Sequence, residues 1–296
     1  MKFMSNQPTL GSHLDFGVSV TAANLACGVY YINNQDWINV DWEANSPAVR
    51  KMNLSSTLEF DDAMFDFVYT SHFIEHLSLD ASKRFLSECK RILKPGGVIR
   101  IVTPDFHKIC EEYIRQYTLG NQLFAEFIKF SLTDQMTRSK PGGQFHYWRN
   151  LAKTNYNLGD YIQTWTGIST TQIQSPQLKQ NFFAQALRAF RKVVRNPKSV
   201  IRVLIWKYCH LAIYIFPSWF RQNHIALCRP GERHLYIHDF NSLANTLQGM
   251  GFKSVTKMTP DTSISNQRDF RTLDIDDEGK PRKGLESMYI EAVRNS

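Results

Sequence analysis

Apolar and polar positions change rhythm repeatedly along the first 119 residues. "AANLACG" (22–28) is a short apolar run closed by glycine, and the polar loop "VYYINNQD" follows it. "WINVDW" (37–42) alternates as a strand does, and "FDFVYTS" (65–71) is a β-branched and aromatic strand. In "LDASKRFLSECKRILK" the residues Phe85, Leu86, Cys89, Ile92 and Leu93 recur at helical spacing, with Asp80 as the expected N-cap. "PGG" is expected to stop that helix before a further strand, "VIRIVTPD", and an amphipathic helix, "HKICEEYIRQY". Strand and helix in alternation predict a parallel sheet wrapped by helices.

From Gly120 to about Pro230 helical periodicity dominates, in "NQLFAEFIKF" and "LKQNFFAQALRAFRKVVR", around the turn-rich "SKPGGQFHYW". The earlier rhythm returns with the helix "HDFNSLANTLQGMGF" and the strands "KSVTKMTP" and "SMYIEAV". The expected organisation is a core formed by 1–119 and 231–296, interrupted by a helical insertion at 120–230.

Charge sharpens this division. The chain of 296 residues carries a net +8, yet residues 176–233 hold eleven Lys or Arg against Glu232 alone. The remaining residues therefore carry a net −2, so the basicity belongs to the insertion. The five cysteines are scattered, with no C-x-x-C, which points to free thiols in a reducing compartment and excludes a zinc ribbon. The N-terminus lacks the apolar run of a secretory signal. The expected location is cytoplasmic, with peripheral membrane contact as one role for the basic segment.

Taken together, "NLACG", "WINVDW", "MFDFVYTSHFIEHL", "RFLSECKRILKPGGVIRIVTPD", "HDFNSLANTLQGMGF" and "ESMYIEAV" resemble the successive motifs of class I S-adenosylmethionine-dependent methyltransferases, above all the small-molecule or cell-surface-glycan type. The resemblance covers roughly 22–118 and 234–294. It implies a Rossmann-like α/β fold with a mostly parallel seven-stranded sheet and helices on both faces. It also implies S-adenosyl-L-methionine as cofactor and methyl transfer to a small-molecule or glycan-type acceptor, lipid-linked in one version, at oxygen. Two alternatives from other classes are a non-catalytic protein of this fold that binds a membrane or partner, and an RNA methyltransferase.

The resemblance places Asn24, Ala26, Cys27 and Gly28 in the turn under the methionine part of the cofactor, with Ala26 where a glycine is usual. A helix N-terminus after that turn would add partial positive charge. Asp41, followed by Trp42, ends the second strand, where a carboxylate can accept the ribose hydroxyls. Asn53 and Leu54 stand where Asp and an apolar residue are usual, and an amide oxygen can still accept from the adenine amino group. Ser71 and His72 close the "FDFVYTS" strand at its ligand-binding end.

Methyl transfer from a sulfonium needs an aligned nucleophile and often a base. His107 and His238 are the leading candidates for that base, with His76, Asp105, His146, His234 and Asp239 as substrate-binding candidates. His72, Glu75 and His76 also spell H-x-x-E-H, an inverted zinc-protease pattern. A strand ending at His72 separates the imidazoles from one helical face, and Glu75 and His76 are expected to begin the next helix. No metal is therefore expected.

The basic insertion has three readings: a lid over the active site, an interfacial contact with anionic lipid, and nucleic-acid binding. The lid ranks first, because a charge run is more often a solvated face, and nucleic acid ranks last.

Overall fold

The computed structural model describes residues 21–44, 46–170, 205, 208–209, 211–225, 228, 231–265 and 269–295. The helix expected at 178–195, which carries much of the basic run, lies outside the described residues.

Seven strands form one sheet. β1 (Ala22–Leu25), β2 (Trp37–Asp41), β3 (Val49–Lys51), β4 (Phe65–Ser71) and β5 (Leu93–Pro104) are mutually parallel. β6 (Phe252–Met258) and β7 (Ser287–Arg294) complete the order β3-β2-β1-β4-β5-β7-β6, with β7 antiparallel to both neighbours. β1 is buried throughout and β4 nearly so, which is why both read as apolar runs.

α1 (Leu79–Ile92) buries Phe85, Leu86, Cys89 and Ile92 against the sheet, as the periodicity predicts. Its N-cap is Ser78, whose side chain accepts from Ala81 N–H, so Asp80 moves into the first turn. A carboxylate there still favours the positive end of the helix dipole. The helix ends at Ile92, ahead of "PGG". Pro95, Gly96 and Gly97 instead form an irregularity inside β5, where pairing with β4 jumps from Phe65↔Leu93 to Phe67↔Val98.

No helix stands between β1 and β2. The expected helix N-terminus beside the glycine turn is therefore absent, because the eleven residues between the strands are spent on turns.

After β5 come α2 (Phe106–Thr118), α3 (Gln122–Thr137), α4 (Phe145–Thr154) and α5 (Tyr156–Thr166). Ile109, Phe127, Ile128, Trp148, Ile162 and Trp165 give these helices a core of their own. The bundle is pinned to the segment ahead of β7, where Leu285 and Glu286 N–H donate to Thr164 and Trp165 carbonyls. Gly167 (φ +72°) and Gly284 (φ +66°) meet at this junction, and a Cβ on either would strike the other segment's backbone. Later helices are α6 (Ser218–His224), α7 (Phe240–Gly249) and α8 (Arg271–Asp274). Among the described residues no helix is long and apolar enough to cross a membrane.

Arg100 on β5 is fully buried. It donates to Asp274 (2.7 Å), to Glu291 (2.7 Å) and to the carbonyls of Thr259 and Thr262, and it lies over the Phe270 ring. Asp274 also accepts from Tyr69 Oη at 2.6 Å. One guanidinium thus joins β4, β5, β7 and α8.

Candidate functional site

β1 connects onward to β2 on one side and its neighbour β4 connects onward to β5 on the other, so a crevice opens beyond the carboxyl ends of β1 and β4. The chain leaves β1 through Ala26 (φ 60°) and Gly28 (φ 57°), both left-handed. Gly28 N–H donates to Asp41 Oδ2 at 2.8 Å, and Glu43 N–H donates to Asp41 Oδ1 at 3.1 Å. The carboxylate ending β2 therefore shapes the turn after β1. No atom lies within 4 Å of where a Cβ on Gly28 would stand, so the turn is open to a ligand.

Asn24 serves this turn from below. It is buried, and its Nδ2 donates to the Tyr30 carbonyl at 3.0 Å and to Asn39 Oδ1. Cys27 is also buried, and burial beside Asp41 pushes its thiol up to about 12. Leu54 packs into the main core. Asn53 Oδ1 accepts from Ser55 N–H at 3.0 Å, so the oxygen expected to meet adenine already holds one donor. Trp42 stays half exposed beside Asp41.

Residues 15–101 match the family model of a methyltransferase domain. That stretch, which holds β1 to β4 and most of β5, is similar to a methyltransferase domain, as the resemblance implied. The sheet has the expected seven-stranded, mostly parallel form, and the family match supports methyl transfer with S-adenosylmethionine as the cofactor. The open turn over Gly28 and the carboxylate at the end of β2 fit that cofactor.

Solved structures similar to this chain include the CurJ carbon methyltransferase, at 10% identity and TM-score 0.34, covering 94% of this chain and 49% of that one. A SAM-dependent methyltransferase from Archaeoglobus fulgidus is 13% identical at TM-score 0.35, covering 94% and 87%. Another from Methanosarcina mazei is 21% identical at TM-score 0.26, covering 32% and 59%. Identities and overlaps this low do not bear on the substrate. None of the curated proteins matches the chain.

Beyond β4, β5 and β7 lies the second half of the edge. His72 (φ 51°) is left-handed, and its Nε2 is 2.9 Å from Ser287 Oγ. The Ser287 hydroxyl donates to the Lys283 carbonyl (2.8 Å), so His72 donates from Nε2 and keeps its lone pair on Nδ1. That nitrogen is 3.3 Å from Glu75 Oε1. Glu75 is fully buried in the 3-10 turn Ile74–His76. Its expected place in the first turn of a helix is corrected, because the chain makes this separate turn before the Ser78 cap. Lys283, Glu286 and Ser287 escaped sequence reading, since nothing in "KGLES" reveals that β7 begins beside β5.

The other candidates stand in different surroundings, and Asp105, directly after β5, is tied to Glu286 through its backbone N–H. His107 points into solvent from α2 and faces Glu111 of its own helix at 3.3 Å, both side chains about two-thirds exposed. His238 is 1% exposed with neither ring nitrogen hydrogen-bonded, and burial pulls its pKa down to about 4. Asp105 is buried, caps α2 through His107 N–H and pairs with Lys257 at 2.8 Å. Asp239 caps α7 in a reciprocal box with Ser242. His146 is exposed on α4 and lines a cavity among α3, α4 and α5. His76 and His234 do meet, with ring centroids 4.9 Å apart.

Two buried groups set an expected pH profile of stability. His238 titrates at about 4 in the fold against 6.5 ordinarily, so its contribution is lost as pH falls from 6.5 towards 4. Burial beside Glu75 pushes Glu286 up to about 8 from 4.5, so its contribution is lost as pH rises from 4.5 towards 8. The two oppose each other between 4.5 and 6.5. Urea denaturation across pH 4–8 should show highest stability inside that interval, and E286Q should flatten the alkaline decline. An unchanged alkaline limb in E286Q would refute the assignment.

Proposed function

We propose that the enzyme methylates oxygen on a small-molecule or glycan-type acceptor. The arrangement of His72, Glu75 and Ser287 beyond the carboxyl ends of β4 and β5 carries this reading. A neutral hydroxyl is a weak nucleophile and gains from a positioned proton acceptor. His72, with its donor committed to Ser287 and its lone pair on Nδ1, is that acceptor. The crevice over Gly28 and Asp41 holds the cofactor, with Asp41 taking the ribose hydroxyls and Asn53 with Trp42 beside the adenine. S-adenosylmethionine supplies the electrophilic methyl group, and the chain aligns the acceptor with it.

The exposed Tyr30 ring supports a sugar-like acceptor, with Arg282 and Lys283 standing 5.1 and 5.3 Å from its centroid. Flat aromatic faces suit the apolar faces of sugar rings.

Mass spectrometry of reactions with S-adenosylmethionine and paired hydroxyl and amine acceptors tests the proposal. Methyl ethers are expected, and H72N, which tolerates the left-handed backbone but cannot take the proton, should lower kcat by ~10²–10⁴-fold. Turnover of amines alone, or full activity in H72N, would overturn it.

A further inference from the structure

The geometry points to a divalent transition-metal site, suited to zinc, formed by Glu75, His76 and His234. The ligand atoms of these three side chains lie within 4.8 Å of one another. Two of the three residues come from the H-x-x-E-H stretch. The third arrives from the far side of the insertion, held by backbone bonds from Leu235 and Tyr236 N–H to the Glu75 carbonyl and from His234 N–H to the Gln135 carbonyl.

Each ligand is poised for coordination. Glu75 is fully buried, its Oε2 accepts from Thr103 Oγ1 at 3.2 Å, and its Oε1 has no hydrogen bond. A buried carboxylate oxygen without a donor is costly unless a cation or proton meets it. His76 Nδ1 donates to the Arg233 carbonyl at 3.0 Å, which leaves Nε2 as the electron-pair donor. Such a second bond from the opposite ring nitrogen is how metal-binding imidazoles are oriented. His234 is 6% exposed, and its Nδ1 has no hydrogen-bond partner. Of the nearby cations, Arg138 is matched by Asp134 at 2.8 Å.

Two imidazole nitrogens and one carboxylate oxygen suit zinc and its neighbours better than magnesium or calcium, which prefer all-oxygen shells. Zinc bonds of about 2.0–2.2 Å place tetrahedral ligand atoms roughly 3.3 Å apart, so modest side-chain rotation closes the site. Three protein ligands leave a position for an oxygen ligand. Its occupation by the acceptor hydroxyl rests on the proposed function, but the site itself does not.

The test uses the full chain after chelation and dialysis, titrated with Zn(II) by calorimetry and with Co(II) by visible absorption. One equivalent is expected, with a tetrahedral nitrogen/oxygen cobalt spectrum and a zinc-dependent rise in Tm. H234Q and H76Q should bind at least ~10-fold more weakly, while H146Q, on the α4 surface, should bind like wild type. Circular dichroism confirms that the variants fold, and the wild-type titration stands without them. No stoichiometric uptake, a thiolate-to-cobalt band, or unchanged affinity in folded H234Q would overturn the site. Zinc binding without methylation of any hydroxyl acceptor would sink the acceptor reading alone, whereas hydroxyl methylation without metal uptake would sink the metal site alone.

Discussion

Replacing Arg100 by leucine is expected to destabilise the fold by about 3–5 kcal/mol, the cost of breaking a buried ion pair by removing one partner. Asp274 and Glu291 are fully buried, and burial already pushes the Asp274 carboxyl up while Arg100 pulls it down. Without the guanidinium, two carboxylates face one another in a dry interior and the Thr259 and Thr262 carbonyls each lose a charged donor. The penalty comes from stranded charge, so R100L/D274L/E291L should be more stable than R100L alone. Urea denaturation at neutral pH measures both. A loss under about 1 kcal/mol in R100L, the worth of an exposed pair, would show the cluster to be incidental.

Asp41→Ala is expected to weaken S-adenosylmethionine binding by ~10–100-fold, from hydrogen bonds to a charged group worth about 1.5–3 kcal/mol. The loss has two sources. Ribose acceptors disappear, and Gly28 N–H loses the oxygen 2.8 Å away that fixes the turn. D41N should fall between, because its amide oxygen can still accept from Gly28. Calorimetric titration with the cofactor distinguishes the three proteins. A change under about threefold in D41A would remove Asp41 from the cofactor site, since even one lost charged hydrogen bond should exceed it.

Much of this fold was legible in the residues. β4 declared itself in "FDFVYTS" and α1 in the spacing of Phe85, Leu86, Cys89 and Ile92, because a buried strand and a one-sided helix impose periods of their own. Errors fell where local signals compete. Asp80 and Ser78 are both good caps, and the choice rests on where the 3-10 turn releases the chain. "PGG" reads as a turn, yet β5 passes through it, because pairing with β4 tolerates an irregularity there.

The candidate site was less legible. Gly28 and Asp41 follow from strand ends, since the carboxyl edge of a parallel sheet collects its ligands. Histidines carry no such mark. His107 and His238 looked equivalent in sequence, but one faces water and the other lies dry behind Tyr236.

By itself, then, the sequence determined most of the sheet's strands, the helices that cover it and the glycine turn after β1, since short-range periodicity and turn chemistry encode these. Only the tertiary structure decided that Arg100 is shared by Asp274 and Glu291, that Ser287 reaches His72, and that His234 stands with Glu75 and His76. Those meetings join residues more than 150 positions apart, and long-range closure leaves no local pattern for a sequence to display.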